Sequence, residues 1–186
     1  MNRPIRPVDA SSLRPLDRAA IALKQAPICA AAAATNTRIA TALQSELRAP
    51  FACAARIEET PWRLRGLPAG CCYLVFALAA EGRRALLELE TGFAAALVDR
   101  LSGGTDCAFA PQEPSAAEIA ALAYLALNAM RAARASEPIE AALSPRFLQI
   151  ARDAREVSSI LAKERSWVSV ELDLSVGEVQ GGGRLL

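Results

Sequence analysis

Apolar residues recur first at every second and then at every fourth position within residues 85–104, which predicts a strand followed by a helix. Leu87 and Leu89 alternate with Glu88 and Glu90, a pattern typical of a strand with one buried and one wet face. The helix is predicted over residues 92–101, where the repeated apolar residues are Phe93, Leu97 and Leu101.

The ends of this helix carry their own signals. Thr91 can cap its first turn, and Asp99 and Arg100 fall on the side that we expect to face solvent. Gly103 and Gly104 then end the helix, because glycine enters the left-handed backbone conformation at little steric cost. The loop after them is long for a simple connection, and long loops often carry function.

The same order of helices and strands occurs twice, over residues 35–104 and 115–186. The second half opens with the capping pattern Ser115-x-x-Glu118 and continues into a helix that is apolar on nearly every side. We expect the last third of the chain, from residue 147, to be mainly strands. The first half is predicted to contain a helix over 35–47, strands over 51–57 and 71–78, and a stretch at 27–34 that fits either a helix or a loop.

Residues 1–14 contain prolines, serines and scattered charges, and we predict a flexible lead there. Residues 15–186 are long enough for one domain with a substantial core. The glycine run 181–183 leads into residues 184–186, where we expect a further strand to begin and more protein to follow.

Composition excludes several classes of function. The 186 residues carry a net charge of +1 with no basic stripe, so we expect no nucleic-acid binding. The chain contains no histidine, which excludes Ser-His-Asp and Cys-His catalysis and imidazole metal ligands. We expect no metal and no cofactor, although an enzyme built from carboxylates alone stays open.

No apolar run reaches the roughly 20 residues that a membrane-spanning helix needs, and no signal peptide is recognisable, so we expect a cytoplasmic protein. The five cysteines form no C-x-x-C pair, which favours reduced thiols acting as small apolar side chains. Cys107 lies in the predicted loop and is the cysteine most open to reaction. Trp62 and Trp167 fit core positions, with an interface anchor as the alternative for Trp62.

Three blocks of sequence, in this order, resemble a known family. They are L-L-E-L-E, F-A-A-A-L-V-D-R-L and G-G within 85–104; P-S-A-A-E at 114–118; and S-P-R-F-L-Q-I-A at 144–151 followed by V-S-V-E-L-D-L-S-V-G-E-V at 168–179. Together they resemble the middle domain of the flagellar motor switch protein FliM and its counterpart in the cytoplasmic ring of type III secretion systems, the SctQ or HrcQ family. The blocks extend over about half of the chain.

The resemblance implies a fold and a class of function. The fold would be the CheC-like α/β pseudo-dimer, in which two related halves pair their sheets and cover them with long helices. The function would be that of a non-enzymatic scaffold in a ring at the cytoplasmic face of the inner membrane. The implied partners are an SctK-like accessory protein, the SctL-like ATPase stator, and other copies of the ring protein or its C-terminal SpoA fragment, whose β-rich domains are absent from this sequence.

The resemblance also implies a site. In flagellar switch proteins the corresponding G-G-x-G loop contacts the neighbouring ring protein FliG, so Gly103, Gly104, Thr105 and Asp106 are the predicted partner-binding residues. The alternative is a helix cap and turn with no partner. Asp106 replaces the last glycine of the motif, and the acidic N-terminal peptide that binds the response regulator CheY is missing. Both differences favour the secretion branch over a flagellar switch protein, which is the second hypothesis.

A third hypothesis is a CheC-like phosphatase acting on phosphorylated aspartate, which uses E-x-x-N on one helix. Here Ala121 stands three residues after Glu118, and Asn128 stands ten residues after it. Ten residues extend over about 15 Å of helix, so the two side chains cannot act on one phosphate. The sequence therefore favours a scaffold over an enzyme.

Overall fold

The computed structural model describes residues 26–57, 70–78, 84–105, 113–134, 145–151, 154–161 and 169–186. The predicted lead at 1–14 and four residues named above, Trp62, Asp106, Cys107 and Trp167, lie outside the described residues. The helices are α1 (Ala26–Leu47), α2 (Thr91–Leu101), α3 (Ala116–Arg134) and α4 (Ala154–Leu161). The strands are β1 (Phe51–Ile57), β2 (Cys71–Ala77), β3 (Arg84–Glu90), β4 (Arg146–Ala151), β5 (Val170–Val176) and β6 (Val179–Leu185).

The six described strands form one antiparallel sheet in the order β1-β5-β6-β3-β2-β4. Exchanging β1 with β4, β2 with β5 and β3 with β6 gives the same order read backwards. The halves α1-β1-β2-β3 and α3-β4-β5-β6 are therefore related by a pseudo-two-fold axis between β3 and β6. Each half gives its first strand to the other, since β1 pairs with β5 and β4 pairs with β2. The expectation of two related halves in an α/β fold is confirmed.

Both faces of the sheet are covered in part. Helices α1, α2 and α3 pack on one face, where the least exposed large side chains include Leu47, Leu74, Phe76 and Val176. On the other face, α4 covers part of β2, β3 and β4 with Val157 and Ile160. Strand β2 lies where both faces are covered, and its residues 72–76 are all buried, as the sequence predicted.

Strand β3 differs from the prediction at one glutamate. Leu87 and Leu89 pack on the helix-covered face, but Glu88 on the other face is only 6% exposed. In the sheet register Glu88 stands between Tyr73 of β2 and Arg184 of β6. This side chain is buried because the second face of the sheet is also covered near β2 and β3. The polar residues of β3 are therefore not all exposed to solvent.

Other predictions also need correction. Helix α4 lies in the part of the chain that we predicted to be mainly strands, and residues 27–34 belong to an unbroken α1. The glycine run 181–183 lies inside β6, which pairs with β5, instead of preceding a new strand. Residue 181 has to be glycine there, since a Cβ would lie 2.5 Å from Phe93 Cβ. Helix α3 is apolar on nearly every side, as predicted, but one side faces solvent, where Tyr124 is 45% exposed and donates a hydrogen bond to Glu46 Oε2 (3.0 Å).

One side chain, Arg38, joins α1 to the end of α3. Arg38 of α1 donates hydrogen bonds to the carbonyls of Ala132 and Ala133 at the end of α3, both at 3.2 Å. These carbonyls have no partner within their own helix, so the arginine supplies the missing donors. Within the described residues, no helix is long and apolar enough to span a membrane.

Candidate partner-binding loop

The predicted site begins where α2 ends. The Gly103 N–H donates to the Arg100 carbonyl (3.0 Å), and the Gly104 N–H donates to the Asp99 carbonyl (2.9 Å). Gly103 has a φ of +88°, in the left-handed region that favours glycine. This pair of hydrogen bonds is a Schellman C-cap, which confirms the prediction that the two glycines end the helix.

The prediction that Arg100 faces solvent was wrong in part. It is half-buried, and its guanidinium bends back to the loop. Nη1 donates to the Gly104 carbonyl and Nη2 donates to the Thr105 carbonyl, each at 3.3 Å. The Asp99 carboxylate is also half-buried and lies against Gly104, where a Cβ would overlap it. Arg100 therefore holds the backbone of the loop, and the Asp99 carboxylate lies close to it.

The start of α2 is tied to a second segment of the chain. Thr91 does not cap the helix, because the N-cap position is Glu90, which makes no side-chain cap hydrogen bond. Instead, the Thr91 N–H and hydroxyl both donate to the Gly70 carbonyl, at 2.8 and 2.9 Å. The prediction for Thr91 was wrong because Gly70 forms a turn that lies beside the start of α2, a tertiary contact that a local capping pattern does not contain.

The loop presents a polar surface at one end of the sheet. Ser102, Gly103 and Thr105 are exposed, whereas Gly104 is half-buried. Within the described residues, the exposed large apolar side chains are Tyr124 and Leu148, and neither belongs to this loop. The loop can therefore offer backbone groups and small polar side chains to another molecule. The fourth predicted site residue, Asp106, lies outside the described residues.

A separate groove of about 460 Å³ opens beside the start of α3. Its lining includes Cys71 and Cys72, whose thiols are both free. Burial raises the pKa of each thiol to about 11, and Glu88 and Glu90 add to this effect at Cys71. Both thiols are thus protonated at neutral pH and poor nucleophiles. Among the described residues, no group of three or more histidine, cysteine or acidic side chains could hold a metal ion.

The predicted capping box at the start of α3 is confirmed. Glu118 Oε2 accepts a hydrogen bond from the Ser115 N–H (2.7 Å), and the Glu118 N–H donates to Ser115 Oγ (3.3 Å). Hydrogen bonding of the carboxylate to the Ser115 side chain, and then to the Ser115 backbone N–H, lowers the pKa of Glu118. Its carboxylate is therefore occupied at the helix end, and Asn128 lies farther along the same helix.

The contribution of Arg100 to the loop was not predicted from the sequence. A basic residue in the last turn of a helix is favoured by the helix dipole, and this was the available signal. The acceptors of Arg100 are backbone carbonyls, which any residue carries, so the side-chain pattern does not identify them.

No protein-family model matches the sequence. No curated protein matches it either.

Several solved structures have a similar fold. A chain of the FliG–FliM complex from H. pylori superposes with a TM-score of 0.69 and 19% identity, over 84% of this chain and 87% of that chain. A chain of the FliM–SpeE complex from H. pylori gives a TM-score of 0.66 and 18% identity, over 86% and 84%. The FliM middle domain from Vibrio alginolyticus gives 0.58 and 12%, over 83% and 89%. The chain therefore has the fold of the FliM middle domain.

Proposed function

We propose that this chain is a non-enzymatic scaffold of the cytoplasmic ring of a type III secretion system, of the SctQ/HrcQ kind. In this role it lies at the cytoplasmic face of the inner membrane and needs no cofactor. It binds neighbouring ring and stator proteins, and the loop 102–105 is the contact with an SctK-like accessory protein. The SctL-like stator and other copies of the ring protein bind elsewhere on the chain.

The exposed and fixed loop carries this proposal. Its two glycines are held by a Schellman cap, and Arg100 holds two of its carbonyls. A loop with one preferred shape loses little conformational entropy when a partner binds, so its hydrogen-bonding groups can contribute to affinity. The likeness to a chain crystallised in a FliG–FliM complex agrees with a role in protein docking.

The occupied carboxylate of Glu118 supports a role without catalysis. The acidic residue that would act in a CheC-like phosphatase instead caps α3 through Ser115. We expect the purified chain not to hydrolyse a phosphorylated response regulator. We also expect Glu118→Ala to leave this result unchanged.

The experiment measures the affinity of the chain for the SctK-like protein from the same genome, by calorimetry. Ser102→Arg places a long side chain on the exposed loop, and we expect it to weaken binding at least tenfold. Thr41→Arg on α1 is the matched control. In both residues the hydroxyl is exposed and donates to the carbonyl four residues earlier, at 2.9 Å, so each variant loses the same local bond. Gly104→Arg is a poorer choice, because its side chain would displace the Asp99 carboxylate.

Two results would contradict the proposal. If Ser102→Arg binds the SctK-like protein as tightly as the unmodified chain does, the loop is not the contact. If the chain does not bind that protein but binds a FliG-like protein from the same genome, the flagellar alternative replaces the secretion role. The likeness to chains from flagellar FliM structures is the observation that keeps this alternative in the experiment.

A further inference from the structure

We infer that Arg100 joins the loop 102–105 and the β5–β6 turn at residues 177–178 into one rigid docking surface. The docking part of this inference rests on the proposed function, because it uses the same partner. The joining of the two segments does not depend on any partner, and it can be tested on the isolated chain.

The guanidinium of Arg100 lies between the two segments. On one side, its Nη atoms donate to the Gly104 and Thr105 carbonyls, each at 3.3 Å. On the other side, a Cβ built on Gly177 would lie 3.3 Å from Nη2 and 3.8 Å from Cζ. The guanidinium therefore lies beside the turn, at the edge of the space that a side chain on residue 177 would enter. Arginine suits this position because its donors form a rigid fork that can hold two acceptors at once.

The turn is itself fixed in one shape. Gly177 has a φ of +57°, in the left-handed region, and its N–H donates to the Pro50 carbonyl at 2.8 Å. Val176 and Val179 pair across the turn, so Gly177 and Glu178 form its tip. The turn and the loop thus meet at one end of the sheet, beside the junction of α1 and β1.

The exposed groups of this surface indicate the kind of partner. Ser102, Gly103, Thr105 and Glu178 are exposed, and none of them is apolar and large. The surface offers hydroxyl groups, peptide groups of the loop and one carboxylate. It therefore fits a folded protein that presents hydrogen-bonding side chains, and not the apolar face of an amphipathic helix.

The joining is tested by hydrogen exchange of three amides, those of Gly103, Gly104 and Gly177, in Arg100→Ala. We expect all three to exchange at least fivefold faster than in the unmodified chain, because the side chain that supports both segments is gone. Arg56→Ala is the matched control, since this arginine forms an exposed ion pair with Asp173 on the sheet and should leave all three amides unchanged. If the loop amides exchange faster and the Gly177 amide does not, the turn is not joined to the loop and the inference is wrong.

A second variant perturbs the turn and reads out the loop. Gly177→Asn introduces a residue that tolerates a left-handed backbone. The Cβ of the new asparagine would lie 3.3 Å from Nη2 of the guanidinium, which is close enough to displace it. We expect faster exchange of the Gly104 amide, whereas damage confined to the turn would leave that amide unchanged and contradict the joining. This variant decides the question if Arg100→Ala fails to fold.

The docking part is tested by calorimetry with the SctK-like protein. We expect Arg100→Ala and Glu178→Arg each to weaken binding at least fivefold, and Asp173→Arg, the same charge change on the exposed sheet face, to have no effect. If Ser102→Arg weakens binding and Glu178→Arg does not, the turn is outside the docking surface, and the proposed function survives without this inference. If the unmodified chain does not bind this protein, the docking role falls with the proposed partner, while the exchange results still decide whether the segments are joined.

Discussion

Two adjacent glycines of β6 offer a direct test of how α2 packs on the sheet. Gly181 lies under Phe93, and a Cβ on Gly181 would lie 2.5 Å from both Phe93 Cβ and Cγ. Gly182 lies on the opposite face, where a Cβ would lie 3.1 Å from Glu90 Oε1. Neither glycine has a positive φ, so alanine fits the backbone at both positions. Any difference between the two alanine variants must therefore come from side-chain packing.

The expected magnitudes follow from these contacts. Carbon atoms in contact prefer a separation of about 3.5–4.0 Å, so Gly181→Ala must move Phe93 or β6 by about 1 Å. Phe93 is 2% exposed and cannot move freely, and such overpacking costs about 1–3 kcal/mol. In Gly182→Ala, only the end of an exposed glutamate has to move. Replacing glycine there also reduces the entropy of the unfolded chain, so we expect no loss or a gain of about 0.5 kcal/mol.

The assay is the free energy of unfolding from urea denaturation, together with the midpoint of thermal unfolding. For a chain of this length, a loss of 1 kcal/mol lowers Tm by about 2–4 °C. We also expect Phe93→Ala to cost less in the Gly181→Ala background than alone, because alanine lacks the Cγ and Cδ2 atoms that lie 2.5 and 2.7 Å from the new methyl group. Equal stabilities of the two alanine variants would refute the packing of α2 on Gly181.

Three further predictions concern other parts of the chain. Arg38→Ala should destabilise the protein by about 1–2 kcal/mol in urea denaturation, because two carbonyls at the end of α3 lose their donor. In the control Arg56→Ala, the loss of an exposed ion pair should cost less than about 0.5 kcal/mol. Equal costs of the two variants would contradict the role of Arg38 in joining α1 to α3. Ser115→Ala should cost about 1 kcal/mol at pH 7. Because folding lowers the pKa of Glu118, its contribution is present above the ordinary value of 4.5 and disappears as the pH falls through the lowered pKa, so the cost of Ser115→Ala should shrink below that pH. Cys72 should resist alkylation at pH 8 until the protein unfolds, since with a pKa of about 11 only roughly a thousandth of the thiol is ionised; rapid labelling of the folded protein, followed by site-resolved mass spectrometry, would disprove its burial.

The sequence predicted those helices and strands in which the spacing of apolar residues shows which face is buried. The alternation over 51–57 matches the bounds of β1, and the four-residue spacing of Phe93, Leu97 and Leu101 identifies α2. The two glycines at the end of α2 also have the predicted effect, because a Schellman cap is a local structure. The order of helices and strands in two related halves followed from these elements and from the family resemblance.

The remaining features depend on contacts between distant residues. Glu88 is buried between Tyr73 and Arg184 of the neighbouring strands, and no periodicity within β3 indicates which residues of other strands lie beside it. Glycine has low strand propensity, yet Gly181 is required where β6 passes under Phe93, and Gly183 is required where it passes close to the Glu88 carbonyl. The roles of Arg38 and Arg100 were missed for a different reason, since both donate to backbone carbonyls, which every residue carries. Helix α4 was missed because it is only eight residues long, and its apolar spacing at Val157, Ile160 and Leu161 extends over little more than one turn.

The central claim is that this chain works by docking another protein at the loop after α2. The most direct measurement places a photo-crosslinking amino acid at Thr105 in living cells, and at Thr41 on α1 as the control. We expect a crosslinked product with the SctK-like protein from position 105 and none from position 41. Crosslinks to that protein from position 41 alone, or from neither position in cells that secrete normally, would contradict it.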